Sequence, residues 1–377
     1  MRLVMVAHSF PRRAGDVPGS FLLRLGEALV QRGHTITVVT PSDRGEARRF
    51  SLGGLDVVQV RYASPQRENL AYTGDMSAAA ASVSGAWAFL SLVRALRAAA
   101  RGEASRINAD VVHAFWWVPG GWAITGASLP PTVITLMGTD VATMKSVPAR
   151  MLARRVLGGA AQVTALTTFL AAETRRLLGT NLDIAVVPVP VDVGRFSGAP
   201  ESTGAGIVYL GRLTRQKRVH LLFDAIQTAG LKVPVTVVGD GPARAELEAQ
   251  VRSLRLENVT FLGVVPDAEV PRLVREAAVT AFLGEREGQG LAAAEAQMLG
   301  TPVVATSDGG GVLDLLRDGE GSFLVSPTPA AVGAALARCL SEPAVRLAAV
   351  GAGARLRQEL SPDSIAQRFE QIYARII

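Results

Sequence analysis

A strand, an acidic glycine-bearing loop, a helix and a second strand follow one another within Ala278–Thr306. The apolar run Ala278–Leu283 predicts the first strand, and the alanine-rich run Leu291–Leu299 predicts the helix. Gly300 and then Pro302 end the helix, and the apolar residues that follow predict a buried strand. This order is typical of an α/β protein with a doubly wound sheet.

The start of this helix predicts an anion-binding site. The helix begins at about Gly290, where the first backbone amides have no partner within the helix and the helix dipole places partial positive charge. Glu287 precedes the helix and Glu295 lies about one and a half turns inside it, so their carboxylates can face different parts of one elongated ligand. A helix-capping acid beside an unrelated, solvated glutamate is the alternative.

The length of the chain indicates more than one domain. At 377 residues it is too long for one ordinary domain and suits two of roughly 180 residues each. Cys339 is the only cysteine, which excludes an intrachain disulfide and a cysteine-based metal cluster and favours a reducing, cytoplasmic location. The net charge of +6 is spread along the chain, so no nucleic-acid-binding tail is predicted. Anionic phosphates and anionic lipid headgroups remain candidate partners.

The first residues repeat the α/β pattern. A strand at Arg2–Phe10, a glycine-containing loop at Pro11–Gly19 and a helix at Ser20–Gln31 precede another strand. Ligands in such sheets bind at the carboxyl ends of the strands. The loop lacks the complete G-x-G-x-x-G of dinucleotide-binding proteins, as does the later turn Gly239–Arg244, so nicotinamide binding is not predicted.

An uncharged stretch at Met76–Val93 predicts a buried or partner-facing helix. It is barely long enough to span a bilayer, and its alanines and serines make it only moderately hydrophobic. Four arginines follow the stretch closely, so a helix lying in a membrane interface is the alternative.

A basic loop after the strand Ile207–Leu210 predicts a diphosphate site. Arg212 and Lys217 lie five residues apart before a helix, so the planar fork of one and the point charge of the other can close on one diphosphate. The chain has only three lysines, which makes the lysine at 217 conspicuous. A solvated basic turn is the alternative.

These motifs together resemble those of the retaining glycosyltransferases of family 4. The shared features are the two glutamates with seven residues between them in EGQGLAAAEAQMLGTPVVAT, the GRL...K loop and the GDGP turn. The resemblance implies an α/β GT-B fold, in which two Rossmann-like domains face each other across a cleft. The implied domains are 1–190 on the acceptor side, a linker at 191–204, a nucleotide-sugar domain at 205–360, and a last helix at 361–377 that crosses back to the first domain.

The resemblance also implies roles for individual residues. Glu287 would contact the donor sugar hydroxyls and Glu295 the nucleotide ribose, while Arg212 and Lys217 would bind the diphosphate. The remaining donor-side groups would be backbone amides at the helix start, backbone groups that read the base, and a glycine against the donor phosphate. These are Gly290, Leu291 and Ala292, then Val264 and Val265, then Gly19 in preference to Gly15.

Two of the positions that depart from the family pattern lie in motifs of the candidate site. The family commonly spells His-Gly-Thr-Asp near the transferred sugar, and this chain has Met137 before Gly138, Thr139 and Asp140. His113, at the end of a neighbouring predicted strand, could reach the same edge or could be structural. Arg218 stands where the family has glycine.

The resemblance implies transfer of a hexosyl unit from a nucleoside diphosphate sugar to a glycan or lipid-linked acceptor, as in polysaccharide biosynthesis. The configuration would be retained by front-face attack, with the departing phosphate taking the acceptor proton. No metal and no cofactor are implied, because the cations stabilise the developing charge. The expected location is cytoplasmic, with peripheral contact at the inner face of the membrane. A hydrolysing epimerase, a non-catalytic donor-binding subunit and a scaffold without a ligand are the alternatives.

Overall fold

The computed structural model describes residues 1–45, 47–72, 76, 82–126, 128–197 and 204–377. The chain divides into two compact units. The first unit is Met1–Val191 together with Pro362–Ile377, and the second unit is Asp192–Ser361. Most of the predicted linker lies at the start of the second unit, and its residues 198–203 are outside the described residues.

The first unit is a parallel sheet with helices. Its strands are β1 (Arg2–Val6), β2 (Thr35–Pro41), β3 (Arg49–Leu52), β4 (Leu55–Val60), β5 (Val111–Phe115), β6 (Thr132–Leu136), β7 (Gln162–Ala165) and β8 (Ile184–Val186). Its helices before residue 191 are α1 (Ser20–Gln31), α2 (Val83–Arg106), α3 (Val147–Gly158) and α4 (Thr168–Leu178), with short helical turns at Pro65–Arg67, Trp117–Gly121, Trp122–Ile124 and Val141–Lys145. The described strands are ordered β3-β4-β2-β1-β5-β6-β7-β8, and only the pair β3 and β4 is antiparallel.

The second unit is a smaller sheet of the same kind. Its strands are β9 (Ile207–Leu210), β10 (Val235–Val238), β11 (Val259–Gly263), β12 (Val279–Phe282), β13 (Val303–Thr306) and β14 (Ser322–Val325). Its helices are α5 (Val219–Ala229), α6 (Arg244–Ser253), α7 (Val270–Glu276), α8 (Leu291–Met298), α9 (Pro329–Ser341) and α10 (Pro343–Glu359), with short turns at Arg215–Lys217 and Gly311–Asp314. The described strands are all parallel, in the order β11-β10-β9-β12-β13-β14.

The strand order of each unit fixes where a ligand can bind. In the second unit the order reverses direction between β9 and β12, and in the first unit between β1 and β5. At such a switch point the loops after the two strands leave the sheet toward opposite faces, which opens a crevice at the carboxyl edge. The predicted diphosphate loop follows β9 and the predicted acidic loop follows β12.

The last helix, α11 (Pro362–Ile376), belongs to the first unit. Its apolar face buries Ile365, Phe369 and Tyr373 in the core that also holds Leu25 of α1. On its polar face, Glu370 lies 2.7 Å from a guanidinium nitrogen of Arg32. Helix α11 is therefore held by both packing and charge.

Helix α2 differs from its prediction. It runs over Val83–Arg106, so it includes the arginines that were expected to follow the uncharged stretch, and residues 77–81 of that stretch lie outside the described residues. Arg97 donates hydrogen bonds to the carbonyl oxygens of Ala123, Trp122 and Thr125 and so serves the fold. Among the described residues, no helix combines the length and hydropathy needed to cross a membrane.

Candidate functional site

The two loops at the switch point of the second unit are in direct contact. The Nζ atom of Lys217, after β9, lies 2.7 Å from Oε1 of Glu287, after β12. Both side chains are largely buried, with 26% and 13% of their surface exposed, so solvent screens the pair less than a surface pair. Lys217 also lies 5.5 Å from the centre of the Phe282 ring. The structure thus joins two residues that the sequence placed in one site.

Arg212 lies in the same loop as Lys217. Its side chain is exposed and forms no hydrogen bond or ion pair with any described residue. A guanidinium that is not engaged by the protein keeps its five N–H donors available for an anion.

The backbone around Glu287 is fixed by a glycine turn. The amide of Glu287 donates to the carbonyl of Gly309 at 2.9 Å, and its carbonyl accepts from the amide of Gly311 at 2.7 Å. Between them Gly310 has φ +74°, and a Cβ there would lie 2.7 Å from the Glu287 carbonyl oxygen. Of the common residues only glycine fits this position, which explains the middle residue of the triple glycine after β13.

Gly290 begins helix α8 in a left-handed conformation, with φ +79°. A Cβ at this position would lie 2.7 Å from Cβ of Val312. Glycine is therefore needed to start the helix directly after the acidic loop. The amides of Leu291 and Ala292 lie in the first turn, where a helix has unpaired N–H groups.

Glu287 also acts on a neighbouring phenol. Tyr209 on β9 is buried, and its burial together with the charge of Glu287 raises the pKa of its hydroxyl.

Glu295, the second predicted glutamate, lies inside helix α8 and is partly buried. Val264 and Val265 follow β11 at the same carboxyl edge of the sheet, and Val264 is 79% exposed.

In the first unit, the structure explains Gly19 by packing within the protein. Gly19 precedes helix α1 with φ +73°, and a Cβ there would lie 2.5 Å from the carbonyl oxygen of Ser9. At Gly15 a Cβ would meet nothing within 4 Å. The glycine at 19 is required by the fold, so its presence is not by itself a sign of a bound phosphate.

His113 was considered for the sugar side, and the structure shows that it is part of the core. Its side chain is fully buried on β5, and its Nδ1 lies 2.7 Å from the hydroxyl of Tyr373 while its Nε2 lies 2.6 Å from that of Thr135. Burial lowers the pKa of His113 to about 3. The imidazole is neutral and engaged at both nitrogens, so it is not available to a ligand.

Asp140, predicted as a possible sugar-side residue, is also engaged within the protein. Its carboxylate accepts hydrogen bonds from the amides of Trp117, Met137, Gly138 and Val141 at 2.9–3.0 Å. Burial raises the pKa of Asp140, although these four bonds oppose the shift. Asp140 shapes the turn that carries Met137 and Gly138, both of which are partly exposed.

His8 is a candidate that the sequence reasoning missed. It lies two residues after the end of β1, at the switch point of the first unit, and its ring centre lies 4.2 Å from that of Trp116, which follows β5. Burial lowers the pKa of His8 to about 4, and no described residue pairs with its buried Nδ1. The sequence placed His8 inside a predicted strand at Arg2–Phe10, whereas β1 ends at Val6 and leaves His8 in the loop.

Comparisons with known proteins agree with this geometry. Residues 19–195 match the family model described as Glycosyltransferase Family 4, and residues 194–356 match the model described as Glycosyl transferases group 1. A D-inositol 3-phosphate glycosyltransferase from Xylanimonas cellulosilytica is 31% identical over 318 residues, which are 73% of this chain and 74% of the relative. This chain belongs to glycosyltransferase family 4.

Other relatives place the chain within a broad family. A glycogen synthase from Mycobacterium tuberculosis is 27% identical over 400 residues, covering 99% of this chain and 94% of the relative. The putative teichuronic acid biosynthesis glycosyltransferase TuaC from Bacillus subtilis is 29% identical, but that match spans only 53% of this chain and 54% of the relative. Family 4 membership therefore establishes a glycosyltransferase, while these relatives differ in what they make.

Solved structures confirm the predicted GT-B fold. Sucrose-phosphate synthase from Thermosynechococcus elongatus has a TM-score of 0.76 at 20% identity, with 100% of this chain and 99% of that chain covered. HepE from Anabaena, solved in complex with UDP, has a TM-score of 0.72 at 19% identity with both chains fully covered. At these identities the likeness concerns the fold.

Proposed function

We propose that this family 4 glycosyltransferase transfers a hexosyl unit from a nucleoside diphosphate sugar to a hydroxyl of a glycan or lipid-linked acceptor, with retention of configuration. One observation carries the proposal. The contact between Lys217 and Glu287 brings a cation and a carboxylate together at the switch point, beside the first turn of α8. A donor offers a diphosphate for the cation and sugar hydroxyls for the carboxylate.

The diphosphate would lie among positive groups from two loops. Arg212 contributes an unengaged guanidinium, and the amides of Leu291 and Ala292 contribute the partial positive charge of a helix start. Lys217 has three N–H donors, so it can bind a phosphate oxygen while it keeps Glu287 in place. Glu287 would then receive sugar hydroxyls close to the phosphate.

The nucleotide would continue along the same edge of the sheet. Glu295 on α8 would accept hydrogen bonds from the ribose hydroxyls, and the backbone at Val264 and Val265 would meet the base. Support for a nucleotide comes from HepE, a protein of the same fold that was solved with UDP and with UDP-glucose.

The chemical step would be a front-face displacement. The bond between the anomeric carbon and the phosphate oxygen breaks, and its electron pair goes to the diphosphate. The acceptor oxygen forms the new bond on the same face, and its proton passes to the departing phosphate oxygen. Arg212, Lys217 and the helix amides stabilise the charge that develops on the diphosphate, so the proposed step uses neither a metal nor a cofactor.

The test is nucleotide release from a panel of UDP-, GDP- and ADP-hexoses, with and without glycan and lipid-linked acceptors. The anomeric configuration of the product is then read by NMR. The proposal expects acceptor-dependent release from one class of donor and a product with the configuration of that donor. Inverted product would overturn retention, and release of a free epimerised sugar would establish a hydrolysing epimerase.

A donor-binding subunit without turnover is the second candidate. It is favoured by the absence of a histidine at the position of Met137, where the family commonly has one. His113 cannot replace it, because both of its ring nitrogens are hydrogen-bonded in the core. This candidate predicts tight nucleotide binding with no transfer across the whole donor and acceptor panel.

A further inference from the structure

Arg218 is the second departure from the family pattern, and it adopts a conformation that suits glycine. Its φ of 49° and ψ of 40° lie in the left-handed region, which side-chain-bearing residues rarely occupy. The side chain is nevertheless 13% exposed, so most of it is buried against the protein. An arginine kept at such a position must gain from its contacts what it loses in the backbone.

Those contacts join three loops of the second unit. The Nη2 atom of Arg218 lies 2.8 Å from Oε2 of Glu285, in the loop after β12, and 2.5 Å from Oδ2 of Asp308, in the loop after β13. The Nη1 atom donates to Oδ1 of Asp308 at 3.3 Å, which makes that pair bidentate. Burial alone would raise the pKa of Asp308, but the hydrogen bond and charge of Arg218 hold it below its ordinary value.

The same loops are also joined by hydrogen bonds that involve the backbone. The amide of Glu285 donates to the carbonyl of Gln216 at 3.1 Å, and the side-chain amide of Gln216 donates to the carbonyl of Glu285 at 3.0 Å. The amide of Arg286 donates to the carbonyl of Asp308 at 3.0 Å. The ion pairs of Arg218 with Glu285 and Asp308 add charge to these contacts between the loops.

Lys217 and Arg218, which are consecutive in the chain, both contact the loop after β12. Lys217 contacts Glu287, and Arg218 contacts Glu285, so two consecutive cations hold two carboxylates from one loop. Arg218 is not a third phosphate ligand, because its fork already serves two carboxylates. Its effect must pass through the loop that carries Glu287.

We propose that Arg218 is a positioning residue for the donor site. Its fork holds the loop after β12 against the loop after β9, so that Glu287 and Lys217 meet the donor in one fixed arrangement. This inference rests on the proposed function of that site. The residue does not touch the donor, and it acts on transfer through Glu287.

The test replaces Arg218 by the residue that its backbone favours. Arg218→Gly removes the fork and relieves the left-handed conformation, so the variant is expected to fold with a melting temperature near that of the natural chain. We expect its kcat for transfer to fall by about tenfold to a hundredfold, because small misplacements of reacting groups have effects of that order. Affinity for the bare nucleoside diphosphate should fall much less than kcat does, because Glu287, the group that the variant displaces most directly, is proposed to contact the sugar and not the phosphates.

Three further variants and one control sharpen the test. Asp308→Asn removes the charge of the partner and should reproduce much of the loss, and combining it with Arg218→Gly should add little, because both act through one contact. Arg218→Lys keeps one charge without the fork and should rescue transfer in part. The control is Arg215→Ala in the same loop, whose side chain is 87% exposed and lies 3.5 Å from its partner Glu246.

A second readout does not depend on turnover. Amide hydrogen exchange over residues 285–291 should accelerate in Arg218→Gly and stay unchanged in Arg215→Ala. Transfer and exchange equal to those of the natural chain would overturn the role of Arg218. Failure of the natural chain to bind any nucleotide would overturn the proposed function. Faster exchange in Arg218→Gly would in that case still show that Arg218 holds the loop after β12 in place.

Discussion

Lys217 shows how one side chain can serve both the fold and the donor. Its ammonium group is held by Glu287 before any ligand arrives, so the cation is already ordered where the diphosphate is proposed to bind. Ordering in advance reduces the entropic cost of binding. The neighbouring Arg212 is exposed and provides the second cation proposed for the diphosphate.

Lys217→Ala is expected to lower transfer by at least about tenfold, since one charge-assisted phosphate contact contributes roughly 1.5 to 3 kcal/mol. The measurement is initial-rate kinetics with the best donor of the panel. Lys232→Ala is the matched control, because Lys232 is exposed and precedes β10 at the opposite edge of the sheet. Unchanged turnover in Lys217→Ala would remove the diphosphate assignment.

The two glutamates are expected to separate in binding experiments. Glu295→Ala should weaken binding of the bare nucleotide, because a ribose contact forms with or without the sugar. Glu287→Ala should damage transfer much more than nucleotide binding, because its proposed partners are sugar hydroxyls and the nucleotide loses only the ordering of Lys217. Isothermal titration calorimetry with a nucleoside diphosphate measures the first effect, and the reverse pattern would mean that the acidic loop has been assigned backwards.

Met137 tests whether the family histidine is essential. Methionine loses one hydrogen bond to a sugar hydroxyl and adds apolar bulk, so the natural chain should remain active with altered sugar preference. Met137→His should then shift that preference on the donor panel without creating activity. A natural chain that is silent and becomes active in Met137→His would instead establish the donor-binding subunit.

Helices whose ends are set by neighbouring residues could be predicted from the sequence. The helix after the acidic loop was expected at Leu291–Leu299 and is α8, Leu291–Met298, because Gly290 and the alanines act within a few residues. The partners of His113 and Arg218 were not predictable in this way. Tyr373 is 260 residues from His113, and Asp308 is 90 residues from Arg218, and no local pattern encodes such pairs.

Helix α11 and strand β5 meet through the bond between Tyr373 and His113, which gives a pH prediction. Unfolding returns the pKa of His113 from about 3 toward its ordinary value of 6.5. Between these values the unfolded chain binds a proton that the folded chain does not, so the free energy of unfolding should fall as the pH drops below about 6.5.

Urea unfolding at pH 7 and pH 5, followed by tryptophan fluorescence, measures this dependence. His113→Gln cannot take up that proton, so its free energy of unfolding should fall less between the two pH values than that of the natural chain. An equal fall in both proteins would show that His113 does not contribute. Tyr373→Phe is the control, because it loses the hydroxyl partner and keeps the buried imidazole.

Across the whole molecule, sequence motifs predicted more of the candidate site in the second unit than in the first. The second unit carries the acidic loop, the basic loop and the glycine turns, and the structure gathers them at one switch point. The first unit carries fewer motifs, and there His113 and Asp140 proved to be internal while His8 was missed. A site that is shaped by side chains from distant segments carries no short sequence motif.

A crystal structure of the chain with the nucleoside diphosphate that binds best in the panel tests the proposed donor site. We expect the diphosphate at the carboxyl edge of β9 and β12, within hydrogen-bond distance of Lys217 Nζ, of the Arg212 guanidinium and of the amides at the start of α8. A nucleotide bound anywhere else in the chain, with Lys217 and Glu287 still paired and untouched by it, would show that this site does not bind the donor.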